Sequence, residues 1–590
     1  IRLSDSSNDT LSQNMMDGND YGGFSVEGRI LSHFIHSIDA SNLVDGKPIH
    51  YVVNLNDLVI DPVTHPEIGY LAIINCTNIT AEGLNITSKW QGLLLAYTED
   101  SRITNNNVTN NLWCGIQIIV SNNNTISRNN ITNNDGAGIK IFYSSNDNTI
   151  SENNVTNNKE NGIELYESSN NLISGNNVTN NDQYGVVQFY SNNNTISRNN
   201  MEDEKGGIAI ASSSNNTVSE NNITNNEQGV WLHDSSINKL RNNHMGGNRW
   251  SFGVDGGTLE HFMHDVDASN TVDGKPICYW VNRQGETVPA EAGYVALVNS
   301  TNVTVQNLNL KNNIQGLLLA CTENSTIKNN NITNNYDGID LVYSSNSSIS
   351  DNNIKNNSRY GVCLLHSSDN KIFVNNMEKN MYSIVAVYSS HNTMFGNNIK
   401  NGWLGIYLEG SSNNRIFHNN FINNTRQAYS YSMNIWDDGH PSGGNYWSDH
   451  TGEDLYGGPY QNITGSDGIG DTPYVIDANN QDRYPLMSPY VLLGDLNNDG
   501  VVNTLDMAIF GKAYGSYPGH PRWNPAADLD GNGIINILDG VTIAKNFGKK
   551  LQEDHLQGFN GNHMGPSPNQ NPSPALGLFF DKLFRVEEKG

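Results

Sequence analysis

Gly115-Ile116-Gln117-Ile118-Ile119, Gly138-Ile139-Lys140-Ile141-Phe142 and Gly162-Ile163-Glu164-Leu165-Tyr166 repeat one short pattern at steps of 23 and 24 residues. The pattern returns at Gly185-Val186, Gly207-Ile208 and Gly229-Val230, and a second series runs through Gly316, Gly338, Gly361, Ser383 and Gly405. Within each repeat the apolar runs are short and alternate with period two, and Asn, Ser and Gly clusters separate them. Such runs are too short for helices and read as strands joined by turns. One repeat cannot bury its apolar face alone, so each is read as one coil of a stacked parallel β-solenoid.

In this register the first and third residues after glycine point inward and the second and fourth outward. The fourth column then places Ile119, Phe142, Tyr166 and Phe189 in an apolar stripe on the outside, adjacent coils lying about 4.8 Å apart. Such a stripe marks a surface that packs under other parts of the chain, against a neighbouring molecule or against sugar rings. The Asn pairs Asn129-Asn130, Asn153-Asn154, Asn176-Asn177, Asn199-Asn200 and Asn352-Asn353 are expected at corners. There Asn tolerates a left-handed backbone, and its amide can bond the next coil.

The formal charge of -27, from 60 Asp and Glu against 33 Lys and Arg, leaves no basic surface to neutralise phosphates, and nucleic acid is excluded as a partner. Cys76, Cys114, Cys278, Cys321 and Cys363 have no metal-type spacing and their odd number rules out a fully paired framework. Sequons at Asn78, Asn85, Asn107, Asn130, Asn154, Asn177, Asn222, Asn302 and Asn331 are candidate N-glycosylation sites in an exported protein. No apolar run approaches the roughly 18 residues that span a bilayer, and export itself is inferred, since the chain starts at Ile1 with no signal peptide in view.

A longer duplication overlies the coils. His33-Phe34-Ile35-His36 through Val44-Asp45-Gly46-Lys47-Pro48-Ile49 reappears as His261-Phe262-Met263-His264 through Val272-Asp273-Gly274-Lys275-Pro276-Ile277. The expected organisation is the end of a preceding coil or linker over 1–26, an insert-bearing unit over 27–90 and coils over 91–254. A second such unit over 255–315 and coils over 316–427 follow, the two coil series sharing one axis or two nearly collinear ones. An aromatic cap over 428–490, a compact module over 491–550 and a flexible tail over 551–590 with a short helix near Leu576 to Phe584 complete the chain.

The module carries two matched loops, Asp495-Leu496-Asn497-Asn498-Asp499-Gly500-Val501-Val502-Asn503-Thr504-Leu505-Asp506 and Asp528-Leu529-Asp530-Gly531-Asn532-Gly533-Ile534-Ile535-Asn536-Ile537-Leu538-Asp539. Oxygen ligands fall at positions 1, 3, 5, 9 and 12, with the carbonyl of Val501 or Ile534 at 7 and glycine at 6, the pattern that a hard cation requires. Two Ca2+ ions are therefore expected, held by Asp495, Asn497, Asp499, Val501, Asn503 and Asp506 and by Asp528, Asp530, Asn532, Ile534, Asn536 and Asp539. A helix pattern follows each loop. This loop–helix pair resembles type I dockerin domains over 494–550, and the resemblance implies a cohesin-like protein partner. Thr504-Leu505 and Ile537-Leu538 occupy the positions that often contact cohesin, in place of the common Ser/Thr pairs.

The HFIHSIDASNLVDGKPIHY block, the NNTIS and NNIT coils, and the ending WDDGHPSGGNYWSD with DGIGDTPYVID resemble the NosD-like family of archaeal surface proteins. That resemblance implies an all-β, right-handed parallel β-helix of pectin-lyase-like type in two duplicated segments, with the small α-helical calcium module appended. Family names invoke copper, for which His33, His36, His261 and His264 are the candidates; in an extended strand His33 and His36 face opposite sides. The best acidic cluster for polysaccharide chemistry is Asp337 and Asp340 with His366, and Asp467, Asp471 and Asp477 in the cap are a candidate third calcium site. The leading reading is a non-catalytic, secreted and N-glycosylated cell-surface structural protein, a component of an extracellular layer, sheath or fibre, which assembles with itself laterally or end to end and carries a calcium-stabilised docking module. The alternatives are a carbohydrate-binding or polysaccharide-processing β-helix anchored through a cohesin, and a periplasmic copper-binding protein.

Overall fold

The computed structural model describes residues 1–18, 23–87, 90–497 and 501–549; the expected tail helix and Asp499 fall outside these. The chain divides into two compact units, Ile1–Tyr490 and Val491–Gly590. The first is a right-handed parallel β-solenoid. Each coil contributes three strands, for example Ile139–Phe142, Thr149–Ser151 and Asn154–Thr156, which pair in register with their equivalents one coil away, Ile139 with Ile163 and Phe142 with Tyr166. Ile116, Ile118, Ile139, Ile141, Ile163 and Leu165 are fully buried in one continuous core.

The amides of the Asn pairs bond the next coil as expected, but the pairs themselves are not the left-handed residues. Their first members point inward and form a buried column in which Asn129 Nδ2 donates to Asn153 Oδ1 at 3.0 Å, Asn153 to Asn176 at 3.0 Å and Asn176 to Asn199 at 2.9 Å. The same oxygens also accept the backbone N–H of the preceding coil, and each NH2 group donates to a core-strand carbonyl such as that of Ile103. The left-handed residues at this corner stand just before the pairs and include Arg128, Glu152, Gly175, Arg198 and Asp351, with Asn105, Asn242 and Asn329 in other coils. Pairing to the stacked coil offsets the small steric cost of a positive φ, so this corner accepts Arg and Glu beside Asn, Asp and Gly.

The two coil series are not one axis. The hairpin Thr271–Val272 with Lys275–Val281 is antiparallel and turns at Asp273 and Gly274, both left-handed. Through it a 17-stranded sheet passes from the third face of the first stack into the first face of the second. The block at Leu43–Val44 and Lys47–Val53 makes the same turn at Asp45 and Gly46. Two separate cores result. In the strand Tyr294–Val298, Val295 and Leu297 face the second core while Tyr294, Ala296 and Val298 face the end of the first. The duplicated blocks are sheet-switching joints, and the two stacks are stepped sideways, because both faces of the shared sheet are covered. Beyond the last coil Trp447 stacks between Phe421 and Tyr474, at 4.3 and 4.1 Å, and with Trp436 closes the second core.

Candidate functional site

The second unit holds helices α1 (Thr504–Ala513) and α2 (Ile537–Asn546). Phe510 and Ala513 of α1 and Ile543 of α2 share a core with Leu496, Val502, Ala527 and Ile535. Gly540 lets the Phe510 ring sit where a side chain on α2 would otherwise stand, 2.8 Å from a Cβ at that position. Each helix begins with a capping box formed by two of the predicted ligands. Asn503 Oδ1 accepts from Leu505 N at 2.7 Å, and buried Asp506 accepts from Leu496 N at 2.7 Å, Asn497 N at 3.2 Å and Asn503 N at 2.8 Å. The second loop repeats these bonds: Asn536 Oδ1 accepts from Leu538 N at 2.8 Å, and Asp539 accepts from Leu529 N, Asp530 N and Asn536 N at 2.7, 3.3 and 2.8 Å.

Ligand atoms of Asp528, Asp530 and Asp539 lie within 4.8 Å of one another. Asp528 Oδ2 accepts from Gly533 N at 2.9 Å, whereas its buried Oδ1 has no hydrogen-bond partner. A buried anionic oxygen without a partner costs free energy that a cation removes. The cluster can coordinate a divalent cation. In the first loop Asp495, Asn497, Val501, Asn503 and Asp506 occupy equivalent places, with Asp495 and Asp506 buried.

Copper finds no such donor set among the described residues. His33 and Phe34 end a 3-10 turn, Leu31–Phe34, with Ile35 and His36 just beyond it, so the block is not the expected extended strand. His33 pairs with Asp5 at 3.0 Å and His261 with Asp234 at 3.0 Å. His36 accepts from Asp9 N through Nδ1 while its Nε2 lies 2.9 Å from His33 O, and His264 Nδ1 accepts from Asn238 N at 3.3 Å. These imidazoles hold the joints together. Oxygen-only ligation by three aspartates suits a hard cation and not copper.

The acidic cluster in the coils is likewise committed. Asp337 is buried in an ion pair with Arg359, and Asp340 is held well above the usual carboxylate range by burial and then by Asp337. His366 sits elsewhere, stacked between Tyr343 and Tyr388. In the cap, Asp467 accepts from Gly458 N and Ile469 N, Asp471 from Leu455 N and Tyr456 N, and Asp477 from Asn479 N. Their oxygens brace loops.

The sequon asparagines form an outer ladder through the nitrogen that would carry a glycan. Asn107 donates to Asn85 at 2.9 Å, Asn130 to Asn107 at 2.7 Å, Asn154 to Asn130 at 2.8 Å, Asn177 to Asn154 at 2.9 Å and Asn222 to Asn200 at 2.7 Å. Asn331 donates to Asn309 and Asn78 to Asp57, whereas Asn302 stands exposed at a left-handed corner.

The outward stripe requires a correction. Ile119 is buried, because residues around Phe24, Val26 and Phe34 pack over Leu94, Ala96 and Ile119 as a third core. Phe142, Tyr166 and Phe189 lie beyond this cover and are half-buried. Column reading of the fourth position missed their neighbours Tyr143 and Tyr190, which stand at the next corner, and Lys140, which lies against Trp113. The same period, read one residue further, would have found both tyrosines.

These features define a right-handed β-helix protein bearing a dockerin-type module. The chain belongs to the NosD family, described as periplasmic copper-binding protein (NosD), which matches residues 41–205 and 265–452. A right-handed β-helix profile matches 146–265 and the dockerin type I domain matches 493–548. No curated protein gives a match. Among solved structures, the A-module of mannuronan C-5 epimerase AlgE6 of Azotobacter vinelandii is 11% identical, with 62% of this chain and 89% of that chain covered and a TM-score of 0.23. The tailspike of E. coli bacteriophage HK620 is 9% identical, with 61% and 72% covered and a TM-score of 0.25. Neither likeness carries an inference about activity. No helix among the described residues is long and apolar enough to cross a membrane.

Proposed function

We propose that the chain works outside the cytoplasm as a non-catalytic β-helix, anchored through its dockerin-type module to a cohesin-like partner once calcium fills both loops. The orphaned Oδ1 of Asp528, buried beside Asp530 and Asp539, carries this reading. Filling the loops would fix the starts of α1 and α2, where Leu505, Ile537 and Leu538 are 58%, 63% and 58% exposed. A partner face of this kind is apolar and expects an apolar counterpart. Commitment of Asp337 to Arg359 and of His366 to its ring pile favours binding over catalysis.

Calorimetry of the full chain should find two calcium sites. Asp539→Ala should abolish the second and leave the first, and type I cohesin modules should bind in calcium and be released by EDTA. Heat from Cu2+ but none from Ca2+ would overturn the proposal, as would calcium-independent cohesin binding.

A further inference from the structure

Where the third face of the second stack leads into the first face of the next coil, three successive turns leave a groove of about 390 Å3 whose walls include Asn356, Ser358, Lys379, Met381, Asn401 and Trp403, all exposed. An extra residue opens it. From left-handed corner to inward serine or glycine, the later two coils run Lys379 to Ser383 and Asn401 to Gly405, whereas the first runs Asn356 to Gly361. Arg359 absorbs the addition by turning onto buried Asp337, to which its Nε donates at 2.9 Å, and it lies over the rings of Tyr336 and Tyr360. The small Ser358 is what remains in the turn where the next coils carry Met381 and Trp403, which are 47% and 50% exposed. Among the described residues the one ring that meets Trp403 is Tyr382, at 5.1 Å and 75°, and no cation lies over it.

The charge at the groove is opposite to that of the chain. Lys355 and Lys400 share Glu378, at 3.3 and 3.9 Å, while Lys379 has no ion pair among the described residues. Arg359 and Asp337 cancel. Three ammonium groups thus stand against one carboxylate, in a chain with 33 basic residues to 60 acidic ones, and a local field of that sign draws an anion. The backbone offers that anion little. The N–H groups of Asn356, Lys379 and Asn401 donate to the carbonyls of Glu378, Lys400 and Ile422, and Trp403 N donates to Met381 O. The strands on either side of these turns pair with a coil above and a coil below, so an acidic peptide finds no sheet edge to extend. What the groove does present is an aromatic and thioether shelf, two amides, a hydroxyl and an ammonium. These complement an apolar sugar face, sugar hydroxyls and a carboxylate.

We infer that this groove binds an acidic glycan, with a pyranose face on Trp403 and Met381, a carboxylate on Lys379 and hydroxyls on Asn356, Ser358 and Asn401. Its three turns span two coil rises, about 10 Å along the stack, which accommodates a short run of sugars. The inference rests on the binding role proposed for the anchored β-helix and names what the coil stack holds, and it is tested independently of the module.

The full chain is titrated by calorimetry with hexamers of galacturonate and of mannuronate, with cellohexaose as the neutral comparator and with a glutamate hexamer as the acidic peptide. EDTA is present throughout, which keeps calcium from bridging glycan and protein. At least one uronate hexamer should bind, and added salt should weaken it. Lys379→Asn with Trp403→Thr should weaken it by about tenfold without moving the melting temperature, since Asn356 and Asn401 hold the same left-handed corner and Thr425 the same turn position in neighbouring coils. Lys371→Thr removes a lysine from another face of this stack and matches Thr393 in the next coil; it should change nothing. Absence of binding by both uronates, equal binding of cellohexaose or of the glutamate hexamer, or unchanged affinity in the double variant would overturn the assignment. So would a parent chain that associates with itself and a double variant that does not, because the groove would then be an interface between copies. Cohesin binding that fails in calcium while a uronate still binds would sink the anchoring proposal alone, and the reverse result would sink the groove alone.

Discussion

Along a parallel stack a side-chain amide can repeat indefinitely, because its oxygen accepts from one coil while its NH2 donates to the next. One column breaks that rule. Asn134, Asn158 and Asn181 lead to Glu204, which accepts from Asn181 Nδ2 at 2.8 Å and from Asn181 N at 3.0 Å. A carboxylate here is buried without a cation, and burial pushes its pKa up from 4.5 to about 8. The folded value lies above the unfolded one, so its contribution is fully present below about pH 4.5 and is lost as pH rises through about 8. Glu204→Gln restores the amide. It should raise unfolding stability by about 2 kcal/mol at pH 8 and by nothing at pH 4. Urea titrations at the two pH values decide it; a variant no more stable than the parent at pH 8 removes the argument.

The joints show what the sequence revealed at the level of elements and what it concealed. Coil period, inward columns, the dockerin-type module and the acidic cluster of its second loop were legible, because each is a local pattern repeated. The sheet switch was not, since it depends on which strands pair at long range, although Val272-Asp273-Gly274-Lys275 carries the Asp-Gly signal of a tight hairpin. A second local signal lies in the runs Tyr70-Leu71-Ala72-Ile73-Ile74 and Tyr294-Val295-Ala296-Leu297-Val298, apolar at every position because both faces of the strand are buried. In the joint, His264 ends an Asn column: Asn216 donates to Asn238, and the Asn238 backbone donates to His264 Nδ1. Burial lowers its pKa to about 4, against a hydrogen bond to the His261 backbone that raises it. The folded value lies below the usual 6.5, so this contribution is present above pH 6.5 and is lost as pH falls through about 4. His264→Asn should continue the column and flatten the loss of stability between pH 7 and pH 5. Equal slopes for variant and parent in urea unfolding would show that the imidazole is not the sensor.

At the scale of the molecule, two cores and a separate module would suggest three independent folding events, but the shared sheet argues for two. Ala296 faces the first core while its neighbours Val295 and Leu297 face the second, so neither stack can open at the joint without exposing apolar surface of the other. In a solenoid, cooperativity is set by such nearest-neighbour interfaces. Scanning calorimetry of the full chain should therefore give one transition for residues 1–490 and a second, for the module, that rises with calcium concentration as binding to the folded state requires. Ala296→Asp puts an unpaired carboxylate between the cores, a change that costs several kcal/mol. It should split the solenoid transition in two while leaving the calcium-dependent peak in place. A parent protein whose stacks already melt separately, or an Ala296→Asp chain that still melts as one, would mean that the joint transmits no stability between them.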